Sequence, residues 1–180
     1  MKRLAVLLLV VVVTACASRM IDLRSEVATA ALLLAAANDQ GIETIETGEV
    51  PADRARAIVE ASNAGQQALE GCRLVALDAE DGTVAPLSAY LCLASTVNAA
   101  IRLEGAITGD DDSDELEWTD ALSVLASAIL LPDDRMVALL LEIEALQPGE
   151  RLPISTVNWA MQEMRESNHA LRMAAQDQLE

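Results

Sequence analysis

The sequence predicts an all-α protein, a single bundle of about six helices. Three observations carry this. Alanine, the best helix former, supplies 32 of the 180 residues. Apolar residues recur at three- and four-residue steps over long stretches, with no sustained strand-like alternation. Pro51, Pro86, Pro132 and the pair Pro148-Gly149 fall between those stretches and divide them. The length suits one domain with one core. No low-complexity linker splits the chain, and no repeat of solenoid period is present. With 52% hydrophobic residues, 2% aromatics and no Phe, that core is built from Ala, Leu, Val and Ile.

The first helix is predicted from about Met20 to Asp39, with Leu23, Val27, Ala30, Ala31 and Leu34 on its inner face and Gly41 as its stop. Its middle is almost wholly apolar, which predicts a central position. Ile42 to Gly48 reads as a loop. The second helix runs from Pro51 to about Leu77. Its Ala55, Ile58, Ser62, Gly65, Leu69, Cys72 and Ala76 form a seam of mostly small residues for close approach to another helix. The third covers about Pro86 to Ile107, with Leu87, Leu91, Ala94, Val97 and Ile101 on one face and Gly109 at its end. The fourth starts at Asp112, with Glu115 as capping-box partner, and ends near Leu131 before Pro132. The fifth covers about Asp133 to Gln147 and packs Met136, Leu139, Leu140, Ile143 and Leu146, with Asp133 and Asp134 suited to its positive end. The sixth runs from Ile154 to near the end, with Ile154, Val157, Met161, Met164, Asn168, Leu171 and Ala175 as its seam.

The N-terminus reads as an export signal. Lys2 and Arg3 precede an unbroken apolar run, Leu4 to Val13, which is about half the length that spans a bilayer. Val13-Thr14-Ala15-Cys16 follows and resembles the lipobox of bacterial lipoproteins. The resemblance covers the signal alone. It implies that residues 1–15 are removed, that residues 16–180 form the exported domain, and that Cys16 carries the lipid. Ala17 stands where an Asp would retain such a protein at the inner membrane, so the resemblance implies the periplasmic face of the outer membrane. Two or three acyl chains anchor firmly where a single one holds marginally. Almost no tether separates Cys16 from the first helix, so the bundle is expected close to the membrane.

Such a compartment is oxidising, and Cys72 and Cys92 remain as a pair. Cys72 lies about five residues before the turn-rich stretch Asp78 to Thr83, and Cys92 about six after Pro86. In an antiparallel hairpin the two come level, as a disulfide requires. Two buried thiols are the other reading, since Cys packs as a small hydrophobe. No C-x-x-C is present.

Little else points to chemistry. Asp110, Asp112 and Asp114 match the first three ligand positions of an EF-hand loop, but Glu115 replaces the glycine and Ala121 the bidentate Glu. The run therefore reads as a solvated cap, and no metal or cofactor is expected. His169 is the only His and has no nucleophile motif around it. Asn168 sits at a seam position and could pin helix register. Tyr90, Trp118 and Trp159 read as core filler or a contact surface. Glu142 and Glu144, two apart on a helix, diverge too far to act as an acid–base couple.

The net charge of -17 argues against a sequence-independent nucleic-acid binder. It fits a solvated acidic exterior or, alternatively, a surface for a basic protein partner. Together these features lead to the expectation of a membrane-anchored envelope lipoprotein with a non-enzymatic structural or protein-interaction role. More specific forms are a pilotin-like chaperone, an immunity-type binder, or a prophage-encoded lipoprotein.

Overall fold

A computed structural model describes residues 21–47, 50–78, 83–84, 86–109, 134–147 and 150–179. The described chain is an all-α bundle of five helices. They are α1 (Leu23–Glu46), α2 (Ala52–Asp78), α3 (Pro86–Thr108), α4 (Asp134–Ala145) and α5 (Ile154–Leu179). Two residues before α1 (β1, Ile21–Asp22) pair antiparallel with two before α3 (β2, Thr83–Val84), with Ile21 opposite Val84. The predicted fourth helix, with Asp112, Glu115 and Trp118, lies outside the described residues.

Contacts fix the direction of each helix. Asn38 reaches Ser167 and Gly41 faces Leu171, so α1 and α5 run parallel. Leu34 meets Gly65 while Gly41 meets Ile58, so α2 runs antiparallel to α1. Arg54 reaches Ala106 and Gly65 faces Ala99, so α3 is antiparallel to α2. Arg135 meets Glu163 and Thr156 meets Glu142, so α4 is antiparallel to α5. One end of the bundle therefore collects the starts of α1, α3 and α5 and the ends of α2 and α4. Helix α1 is central, as its apolar middle predicts, and touches all four of the others. Fully buried Leu23, Ile58, Leu69, Leu103, Met161 and Leu171 belong to the core, and each such side chain contributes about 1.5–3 kcal/mol by leaving water.

Gly41 does not stop α1, contrary to expectation; the helix continues to Glu46, so Ile42 to Glu46 are helical. The glycine serves close approach instead. A Cβ there would stand 3.1 Å from Ile58 Cγ2 and 3.1 Å from Leu171 Cδ1. The α2 seam is buried throughout, from Ala55 to Ala76. On α3 Thr96, Ala99 and Leu103 are buried along one line and Ile101, a member of the expected face, is buried as well, while the side chains of Leu87, Leu91, Ala94 and Val97 lie outside the described set. On α5 the seam holds from Val157 onward, but Ile154 at the first position is exposed.

Helix ends use side chains from their neighbours. Arg54 of α2 donates through Nε to the Ala106 carbonyl at 2.7 Å and through a second nitrogen to the Ile107 carbonyl. Its guanidinium thus satisfies carbonyls left open at the α3 C-terminus and lies at the negative end of that helix. Gly109, with φ of 78°, closes the turn as a left-handed cap, donating its N–H to the Gly105 carbonyl at 2.8 Å.

Candidate functional site

Hydrophilic side chains gather at two places, one buried and one open. The buried one joins three helices. Asn168 Nδ2 donates to Ser62 Oγ at 2.6 Å, and Ser62 Oγ donates to Asn38 Oδ1 at 2.6 Å. Asn38 Nδ2 donates to Ser167 Oγ at 3.0 Å, and Ser167 Oγ donates to the Met164 carbonyl at 3.0 Å. The circuit leaves α5, crosses α2 and α1, and returns to α5. All four side chains are buried. Satisfied polar groups in a low-dielectric core are directional, unlike the Leu and Ala contacts around them, so the network fixes helix register.

The open site is a depression of about 280 Å³ between α2 and the second half of α5. Arg56 and Glu60 line it from α2, and His169, Arg172, Met173 and Gln176 from α5, over Val59 and Ala175. Residues 169, 172, 173 and 176 share one helix face by their three- and four-residue steps. Two guanidinium groups, an imidazole and the Glu60 carboxylate thus line one depression above an apolar floor. The depression therefore carries charges of both signs. His169 is exposed, and no hydroxyl or thiol lines the depression with it.

Other charged groups tie helices together. Arg135 bonds Asp39 of α1 at 2.6 Å and Glu163 of α5 at 3.4 Å. Arg165 of α5 pairs with Glu70 of α2. Burial pushes the Glu104 carboxyl above its ordinary pKa.

The residues singled out from the sequence are dispersed. Cys16 and Asp110 to Glu115 lie outside the described residues, as do Asp133 and Ala121. Cys72 is buried on α2. Cys92 belongs to α3, its side chain outside the described set, as is that of Tyr90. Trp159 is half-buried against the core. Asn168 is buried in the network and pairs with another helix through Ser62, rather than lying at an edge. Glu142 accepts from Thr156 Oγ1 at 2.7 Å, while Glu144 is exposed, so the two do different things. Asn38, Ser167, Arg56 and Arg172 were not legible as site residues. For Asn38 a signal existed, because it continues the line of Leu34 by four residues inside the predicted first helix.

Among the described residues no group of three or more His, Cys, Asp or Glu is arranged to hold a metal ion. Among them, too, no helix is long and apolar enough to cross a membrane. No protein-family model matches the chain, and no curated protein or solved structure matches it either.

Proposed function

We propose that the chain is an envelope lipoprotein, cut before Cys16, lipidated there and held at the periplasmic face of the outer membrane, with a non-enzymatic structural or protein-interaction role. The observation that carries it is the ordered N-terminal pattern of Lys2-Arg3, the apolar run Leu4 to Val13, and Val13-Thr14-Ala15-Cys16. The way polar side chains are spent supports the second half. Asn38, Ser62, Ser167 and Asn168 are consumed in helix packing, and Arg54, Arg135 and Arg165 in joining helices. The partner is a protein, basic where it meets the acidic exterior. The test is Cys16→Ser followed by fractionation and labelling with a fatty-acid probe. Loss of label and of membrane association is expected; a variant as labelled and membrane-bound as the wild type would refute the anchor.

The same reading assigns a disulfide between Cys72 and Cys92. Gly65 of α2 faces Ala99 of α3. Seven residues on along α2 is Cys72, and seven back along antiparallel α3 is Cys92, so two helical turns preserve the register. Cys72 is 1% exposed, within the buried seam of α2. A closed loop of about 21 residues contributes roughly 3 kcal/mol. Non-reducing peptide mapping should recover the joined pair, and recovery of both as alkylatable thiols would sink the assignment.

A further inference from the structure

The exposed large apolar side chains are unevenly distributed along the bundle. Leu74, Val75, Val137, Leu141, Ile154 and Met173 are the exposed ones among the described residues. Leu74 and Val75 lie four and three residues from the end of α2, Leu141 four from the end of α4, and Ile154 opens α5. At 1.5 Å per residue, all four fall within about one turn of a single end of the bundle. Val137 is one turn further in, and Met173 belongs to the opposite half, at the depression. The four come from three helices, so no one amphipathic face explains them; what they share is the end.

That end also holds the first described residues, Ile21 and Asp22. Ile21 pairs with Val84 there, and Cys16 lies five positions before Ile21, a reach of about 17 Å at most. A lipid on Cys16 therefore cannot hold this end far from a bilayer. We propose that the end formed by the starts of α1 and α5 and the ends of α2 and α4 rests on the phospholipid surface. Leu74, Val75, Leu141 and Ile154 sit in the interface, and the His169 depression is turned away from it. The inference rests on Cys16 as the anchor and adds an orientation to it. Arg24, Arg73 and Arg151 belong to the same end. Glu26, Glu144 and Glu150 are there too. The mixture of signs, within a net charge of -17, favours a zwitterionic leaflet over an anionic one.

The test uses the chain from Cys16 onward, which keeps every described residue, with Cys72 and Cys92 oxidised. Cys16 is coupled to a maleimide lipid in vesicles of brominated phosphatidylcholine, so the outcome does not depend on whether cells lipidate that residue. Leu74→Trp and Leu141→Trp report on the proposed interface and Met173→Trp on the far half, each read after subtraction of the unsubstituted chain. Quenching of the added Trp at 74 and 141 at least twofold above that at 173 is expected. Equal quenching at all three sites, or none at 74 and 141, overturns the orientation. So does a Trp at 74 or 141 already inaccessible to acrylamide in the untethered chain, because protein then covers the site. Failure here with loss of fractionation in Cys16→Ser leaves the anchor standing and removes the orientation alone.

Discussion

Ser62 donates to Asn38 and accepts from Asn168, so removing its hydroxyl strands two buried amide groups at once. Each stranded group costs about 1–3 kcal/mol. Ser62→Ala should therefore destabilise by about 2–3 kcal/mol, read as a lower urea midpoint at unchanged slope. Ser167→Ala leaves only Asn38 Nδ2 without its acceptor and should cost about half as much. Equal costs for the two variants would show that the circuit does not act as a unit. Glu104 offers a pH test. Burial raises its pKa by disfavouring the carboxylate. A raised folded-state pKa means stability that is complete below the ordinary carboxylate range and lost as pH rises through the raised value. Glu104→Gln removes that loss, so the variant should gain stability over wild type at neutral pH. Its advantage should vanish in acid, measured as the difference in thermal midpoint from about pH 4 to pH 7.

Helix glycines divide into those that let helices meet and those that merely weaken a helix. Gly71 is exposed on α2, with nothing within 4 Å of a Cβ placed there. Gly71→Ala should stabilise by about 0.5–1 kcal/mol through backbone entropy alone. Gly65 lies nearer the helix start, and a Cβ there would fall 2.8 Å from Leu34 Cδ2 and 3.2 Å from its Cδ1. Leu34 is buried and cannot swing into solvent. The same propensity gain is then outweighed by overpacking of about 1–3 kcal/mol, so Gly65→Ala should destabilise. Chemical denaturation of the two single variants checks both signs, and a stabilised Gly65→Ala would mean that α1 and α2 are not in close contact. The α2 seam, including Gly65, was legible because three- and four-residue spacing fixes which residues share a face. The length of α1 was not, because a glycine that ends a helix and one that admits a neighbour read alike until the neighbour is known.

At the scale of the whole molecule, net charge sets how the surface meets a partner. An acidic exterior attracts a basic partner over a Debye length of about 8–10 Å at physiological salt. The association rate of the partner recovered by crosslinking in cells should fall by at least about tenfold from 0.05 to 0.5 M salt. A rate indifferent to salt would assign the acidity to solvation and leave recognition to apolar contact. At the His169 depression Arg56 and Arg172 stand beside Glu60, so the acidity is locally offset there.

Composition and spacing by themselves determined the helical class, the aliphatic core, the buried α2 seam and the ends of α2 and α3. These are local consequences of alanine content, apolar period and Pro or Gly at boundaries, each acting within one or two turns. Only the tertiary structure decided that Asn38, Ser62, Ser167 and Asn168 form one circuit, that Arg54 caps α3, and that Arg56, His169 and Arg172 share a depression. Those groups stand up to about 130 positions apart in the chain. Their meeting depends on the parallel course of α1 and α5 against antiparallel α2. Helix direction follows from how the connections and packed faces close together, and no single window of sequence contains it.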